Sequence, residues 1–359
     1  MSKEKIVTFI VPAYNSETYL RKCLESFCHP AVMDEIEVLL VDDGSTDRTS
    51  KIGNSYVQKY PKTFRLIYKE NGGHGSALNT GIRDALGKYI KIVDSDDWVE
   101  TKNLPAYVSI LHTVSTDVVV TPYKTQDIGT GECRRWDILG ENLYGWGNIE
   151  KIVHNWNAVK DIFTLHGITY RTAFYRRWGH DLTEHVFYED QEYATIPCCF
   201  AESLLISDLS LYIYRVGDEH QSISETNQLK RLGDLNTVYE SMVGYLSETQ
   251  EQLSDAGYIF FLKRLEVVIL SYYKVLLFIM PDRKAGRIAA ETFTKKLSQE
   301  MPELWKYMRK KYIAFRIMNF FGITPEGLQK LLDWPLYQHM KKIHCKKEGR
   351  YENHTRKQS

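Results

Sequence analysis

What most limits the fold of this chain is an alternation. Short, continuous apolar runs alternate with stretches of helical spacing, and each run ends in a polar or glycine-rich loop. Ile6–Val11 is a β-branched run of the kind found in strands covered on both faces. Glu17 to Phe27 follows, with Leu20, Cys23, Leu24 and Phe27 at helical spacing. Ile36–Val41, Phe64–Tyr68, Tyr89–Val93 and Asp117–Thr121 repeat the strand pattern. This order predicts an α/β domain built on a mostly parallel sheet. Ligands of such sheets bind beyond the carboxyl ends of the strands, so the loops there are where function is sought.

From Gln228 onward strand signals give way to long helical patterns, and Leu262, Leu265, Val268, Ile269, Tyr272 and Leu276 keep one apolar face. A boundary is expected near Thr226, giving a domain over 1–225 and a helical region over 226–359. The segment Tyr258 to Met280 is the most apolar long stretch, but it contains Lys263, Arg264, Glu266 and Lys274 and reads as a buried helix rather than a membrane span. The 46 basic and 46 acidic residues cancel, which removes the whole-molecule case for binding nucleic acid. The charge is uneven: beyond Met301 there are 13 Lys or Arg against 5 Asp or Glu, a net +8 that leaves −8 on residues 1–300. The six cysteines form no C-x-x-C pair and read as reduced thiols. No secretory leader is evident before Pro12, so a cytoplasmic location is expected.

The loops carry the candidate chemistry. Pro12-Ala13-Tyr14-Asn15, with Glu17, stands where a dinucleotide-binding fold would place G-x-G-x-x-G, and neither that fingerprint nor a G-x-x-x-x-G-K-[ST] loop is present. Alone, Tyr14 reads as a strand-end aromatic packed in the core. Asp42-Asp43-Gly44-Ser45 can accept hydrogen bonds from a ribose or a base, and equally can cap the next helix. Asn71-Gly72-Gly73-His74-Gly75, leading to Asn79, allows close backbone approach to a phosphate-bearing ligand or simply a tight turn. Asp94-Ser95-Asp96-Asp97-Trp98 crowds three carboxylates at the sheet's ligand edge. They repel one another unless a cation or solvent offsets them. Hard divalent ions such as Mg²⁺ or Mn²⁺ take such ligands together with substrate phosphates, and the alternative is an exposed acidic turn capping the next helix. Tyr188-Glu189-Asp190-Gln191-Glu192 offers an acid–base carboxylate, or a helix start favoured by the dipole. His220, near Arg215, stands as a late metal or diphosphate ligand or as a lone surface histidine.

Taken in order, Val-Pro-Ala-Tyr-Asn (11–15), Val-Asp-Asp-Gly-Ser-Thr-Asp (41–47), the Asn71–Gly81 loop, Val-Asp-Ser-Asp-Asp (93–97) and Glu-Asp (189–190) closely resemble glycosyltransferase family 2. The resemblance covers residues 5 to 225. It implies the A-type glycosyltransferase fold, a Rossmann-like sheet flanked by helices, here followed by the helical region. It also implies a nucleotide-sugar donor with uracil the expected base, a divalent cation (Mn²⁺ or Mg²⁺) and inversion at the anomeric carbon. Carried over by position, Pro12, Tyr14, Glu17 and Asp43 hold the nucleoside, with Gly73, Asn79 and Asp94 also on the nucleotide. Asp94 and Asp96 form the D-x-D metal and diphosphate site, Asp190 is the base, Glu189 lies on the acceptor side, and His220 matches a C-terminal histidine ligand of some members. Many members carry Arg before the loop asparagine, where this chain has Leu78.

The implied activity is hexosyl or N-acetylhexosaminyl transfer to a saccharide or lipid-linked acceptor, as in cell-surface polysaccharide synthesis. The rival is a nucleotide-sugar-binding protein without catalysis. Trp136, Tyr144, Trp146 and Trp156 offer aromatic faces for a saccharide, and Trp146, flanked by Gly145 and Gly147, is the chosen acceptor residue, with core packing as the alternative for each. The basic tail, with Trp305, Tyr312, Phe315, Ile317, Phe320 and Phe321 between its cations, suits either peripheral contact at the inner face of the membrane or an ordinary amphipathic helix.

Overall fold

The computed structural model describes residues 4–218 and 225–324, together with 326, 327 and 330. Twelve strands are formed among them: β1 (Val7–Ala13), β2 (Ile36–Asp42), β3 (Phe64–Tyr68), β4 (Tyr89–Ile92), β5 (Trp98–Val99), β6 (Val118–Val120), β7 (Tyr123–Asp127), β8 (Cys133–Trp136), β9 (Gly145–Gly147), β10 (Ile168–Arg171), β11 (Leu204–Ile206) and β12 (Tyr212–Val216). The large sheet runs β3-β2-β1-β4-β10-β6-β11-β9, and a small one runs β5-β12-β7-β8. In the large sheet β10 is antiparallel to both β4 and β6, and β9 is antiparallel to β11. The other pairs are parallel.

β1 and β2 are buried at every position, which suits their mostly apolar sequences, and the charge inside them is matched: Glu37 accepts from the Thr8 hydroxyl and pairs with Arg65. Phe9 on β1 packs at 4.8 Å on Phe27, the residue that ends the helix Leu20–Ser26. On the sheet's face the helix His74–Asp84 approaches so closely that a Cβ on Gly81 would lie 2.3 Å from Ile10. β1 extends through Pro12, past the expected end at Val11. The β1–β4 ladder stops at Ile10–Ile92, so the donor that proline lacks is not needed there. The helix starts at Leu20 rather than Glu17, because the Glu17 amide and carboxylate are engaged by Asp47 and the Arg48 amide.

From β1 the chain moves outward to β2 and β3, then returns to the other flank of β1 as β4. This reversal of strand order opens a crevice beyond the carboxyl ends of β1 and β4. The loops after those two strands hold Tyr14 and Asp94, so the topology itself brings the two motifs together.

The chain forms two compact units, Met1–Glu219 with Gly244–Phe260, and His220–Val243 with Phe261–Ser359. The sequence suggests one division, at 225/226; the chain here also lends residues 244–260 to the first unit. Within the second unit Tyr239 and Tyr273 pack on Phe293 at 5.1 and 5.5 Å. Leu265, Val268, Ile269 and Leu276 are buried there, while Leu262 and Tyr272 are half-buried. Asp282 caps the helix Arg283–Glu300 by accepting the amides of Lys284 and Ala285. Among the described residues no helix is long and apolar enough to cross a membrane.

Candidate active site

The loop after β1 presents Tyr14 to solvent, 53% exposed, beside Asn15 at φ 47°. Asn15 donates its amide to Ser45 and accepts from the Thr46 amide, which ties this loop to the one after β2. Ser16 reaches the other way, its hydroxyl 2.7 Å from that of Ser95. The Asp42–Ser45 turn does not itself cap the helix Thr49–Lys59: Asp42 accepts the Ser45 amide, and it is Asp47 that accepts the Thr49 amide at 2.8 Å. Asp43 is buried, and its carboxylate takes Lys69 Nζ at 2.6 Å and the amides of Gly72 and Gly73 at 3.0 and 2.8 Å. It therefore holds the glycine loop in place. Gly73 has φ 85°, and a Cβ there would meet the His185 amide nitrogen at 3.1 Å. Asn79 is likewise buried and faces the chain itself: it accepts the Leu182 amide at 2.8 Å and donates to the Leu182 carbonyl at 2.9 Å.

After β4 the three aspartates differ sharply. Asp97 is buried, accepting the Tyr212 hydroxyl at 2.5 Å and the Arg215 amide at 2.7 Å. Burial, then the charges of Asp96 and Asp94, push its carboxyl well above the usual range. Asp96 is more open, 3.7 Å from the Arg215 guanidinium, and burial with the Asp94 charge raises it to about 6. Burial also works against the charge of Asp94, but the hydrogen bond and charge of His74 hold its carboxyl below the ordinary value. Two of three carboxyls resist ionisation, as expected of a cluster short of positive charge. Asp94, Asp97 and His166 bring one ligand atom each to within 4.8 Å of one another. Burial lowers the His166 imidazole to about 4, leaving it neutral and able to ligate. This oxygen-rich set with one imidazole fits Mn²⁺ or Mg²⁺.

His74 joins the two acidic motifs. Its Nε2 lies 3.0 Å from Asp94 Oδ1, and its Nδ1 hydrogen-bonds Glu189. Burial opposes its charge, yet Glu189 and Asp94 together hold the imidazole protonated well above the ordinary histidine value. Glu189 is buried, whereas the next residue, Asp190, opens the helix Asp190–Thr195 at partial exposure. The carboxylates of Asp97, Asp94, Asp96 and Asp190, after burial, all push up the phenol of Tyr214, which places Asp190 within electrostatic reach of the same ring as the aspartate cluster. Among the described residues the non-glycine positions with positive φ are Asn15, His185 and Tyr188, and all three flank this site.

Several of these residues escape a sequence reading. His166 stacks on Tyr214 at 4.3 Å and meets Tyr212 edge-on at 4.9 Å, so a loop histidine and β12 form one wall. Arg215 lies over Tyr19 at 4.1 Å and pairs with Asp218 at 2.6 Å. The only sequence signal for His74 is its place between glycines in a ligand-edge loop. His220 lies outside the described residues. Trp146 is 63% exposed on β9, Trp136 stacks on Tyr123 at 6.1 Å, the Tyr144 hydroxyl donates to Asp137, and Trp156 packs edge-on against Phe260 in the core.

Residues 8–179 match the model of glycosyl transferase family 2. EpsH of Bacillus subtilis, assigned as a glycosyltransferase, is 32% identical over 259 residues, 68% of this chain and 70% of EpsH. The minor teichoic acid biosynthesis protein GgaA of Bacillus subtilis is 25% identical over 83% of this chain and 70% of its own. Residues 1–349 of S. aureus TarS share the fold with a TM-score of 0.58 at 19% identity, covering 88% of each chain. A structure of the same TarS segment in complex with UDP-GlcNAc gives 0.52 at 19%, over 85% of this chain and 92% of that one. The sheet order, the aspartate cluster after β4 and these likenesses agree: the chain has the A-type glycosyltransferase fold and belongs to glycosyltransferase family 2.

Proposed function

We propose that this transferase is metal-dependent and inverting, and that it moves a hexosyl or N-acetylhexosaminyl group from a UDP-sugar to a saccharide or lipid-linked saccharide in cell-surface glycoconjugate synthesis. The observation that carries the reading is the His74 bridge, which fastens the D-S-D-D segment to the residue preceding Asp190. Donor-side and acceptor-side carboxylates thereby become parts of one site. TarS, solved with UDP-GlcNAc, and GgaA, a teichoic acid biosynthesis protein, support the donor and the pathway class.

In this reading the exposed Tyr14 ring covers the base, with Pro12 and Glu17 shaping the loop beneath it and Asp43 setting the glycine loop beside the diphosphate. Asp94 and Asp96 hold a divalent cation, with Asp97 and His166 completing the donor set. The cation supplies Lewis-acid neutralisation of the charge that builds on departing UDP. Asp190 takes the proton of the acceptor hydroxyl as that oxygen bonds to the anomeric carbon. The bond to the diphosphate oxygen breaks on the opposite face, UDP leaves with the electron pair, and configuration inverts. Exposed Trp146 is our acceptor-side aromatic, with Glu189 orienting that side through His74. The 1–225 segment carries this chemistry in our assignment.

Competition against a labelled UDP-sugar in Mn²⁺ tests the donor. UDP is expected to bind about tenfold or more tightly than GDP, since a pocket built for one base rejects a differently shaped one. Tighter binding of GDP would overturn the uridine assignment.

A further inference from the structure

The helix Pro302–Phe320 has two unlike faces. Leu304, Met308, Tyr312 and Asn319 are buried. On the opposite side Lys306, Lys310, Ile313, Ile317 and Phe320 follow one another at helical spacing, so they share a single stripe. Its first half is cationic, with Arg309 beside Lys306 and Lys310, all exposed. Its second half is apolar: Ile317, Phe320 and Phe321 are 53, 78 and 74% exposed, and the two phenyl rings stand edge to face at 5.4 Å. Other cations of this helix are paired, Lys311 with Glu266 and Arg316 with Glu291. Lys306, Arg309 and Lys310 make no ion pair among the described residues.

We propose that this stripe is a docking surface for an anionic lipid bilayer, with Phe320, Phe321 and Ile317 entering the interface and Lys306, Arg309 and Lys310 lying on the headgroups. Cations beside bulky apolar side chains on one helix face are the pattern of interfacial helices. Charge decides the occupant. The helix carries five basic residues and one acidic, Glu303, so a second copy would bring like charges together. Residues 331–359 hold 7 Lys or Arg against 3 Asp or Glu, so this chain's own tail is of the same sign. A surface of negative headgroups complements both. The proposal goes beyond the transfer reaction and stands or falls separately from it.

Cosedimentation of the full chain with phosphatidylcholine vesicles, with and without phosphatidylglycerol, is the test. Binding is expected only with phosphatidylglycerol, weakening about tenfold or more from low to high salt. A Phe320→Ser/Phe321→Ser variant and a Lys306→Glu/Arg309→Glu/Lys310→Glu variant should each weaken it about tenfold or more. Both should keep the circular dichroism melt and the transfer rate to a water-soluble saccharide. Absence of binding to phosphatidylglycerol vesicles at low salt overturns the proposal. So does binding that survives both variants but is lost in a full chain with Lys341, Lys342, Lys346 and Lys347 changed to Glu, because the tail is then the anchor. A dimer in light scattering that the phenylalanine variant dissolves, with no lipid binding, identifies a second copy as the occupant and equally overturns it.

Discussion

Asp190→Asn should transfer sugar about 10²–10⁴-fold more slowly than the wild type, the range typical of losing a general base. Its affinity for the nucleotide-sugar donor should change by less than about threefold, because in the proposed mechanism the lost proton acceptor serves the acceptor hydroxyl alone. The amide keeps the side chain's size and can still accept from Gln191, which lies 3.1 Å away. Steady-state kinetics beside donor titration by calorimetry checks both halves. A near wild-type rate would remove Asp190 from the chemistry. A collapse of donor affinity would move it to the nucleotide.

His74→Ala should destabilise the protein and slow transfer together. The change leaves Asp94 and Glu189 without the cation between them, and Glu189 is buried. Stranding a buried charge is strongly destabilising, but the imidazole edge retains some solvent access, so a loss of about 2–4 kcal/mol is expected. Adding Glu189→Gln removes the stranded charge and should recover most of that stability without recovering transfer. Thermal unfolding of the two single variants and the double variant reads the coupling directly. Additive losses in the double variant would show that the bridge does not act as a unit.

The central strands β1 and β2 were legible because they are buried on both faces, and β2 begins where its apolar run begins. The edge strand β3, only partly buried, still begins and ends with its run Phe64–Tyr68. The acidic motifs were legible for a different reason, since each places its chemistry within a few adjacent residues. What was hidden depends on long-range pairing. Residues 168–171 form a short strand that enters the sheet antiparallel between β4 and β6, and nothing in its four residues specifies those partners. The wall behind the aspartates comes from His166 and β12, and the bond from Tyr212 to Asp97 spans 115 residues. The His74–Glu189 bridge also spans 115. Spacing rules see neighbours along an element, and these contacts exist only once the sheet has closed. The buried faces of Asp43 and Asn79 were hidden for the same reason. Both side chains are matched to loops far along the chain, where motif position alone suggests ligand contact.

Lys91 belongs to this hidden layer. It is fully buried on β4, three residues before Asp94, and donates to the His166 carbonyl at 2.8 Å. Burial lowers its ammonium to about 7. Its contact fixes the backbone that presents His166, so the floor of the site is held by a strand residue that an apolar pattern would call an anomaly.

The proposed mechanism is a single displacement with Asp190 as base, and the configuration of the product tests it most directly. Proton NMR of the glycoside formed from a UDP-α-sugar reads the coupling of its new anomeric proton. An inverted, β-linked product is the predicted result. An α-linked product would require a second displacement or a front-face mechanism, and would contradict the role assigned to Asp190 and the site built around it.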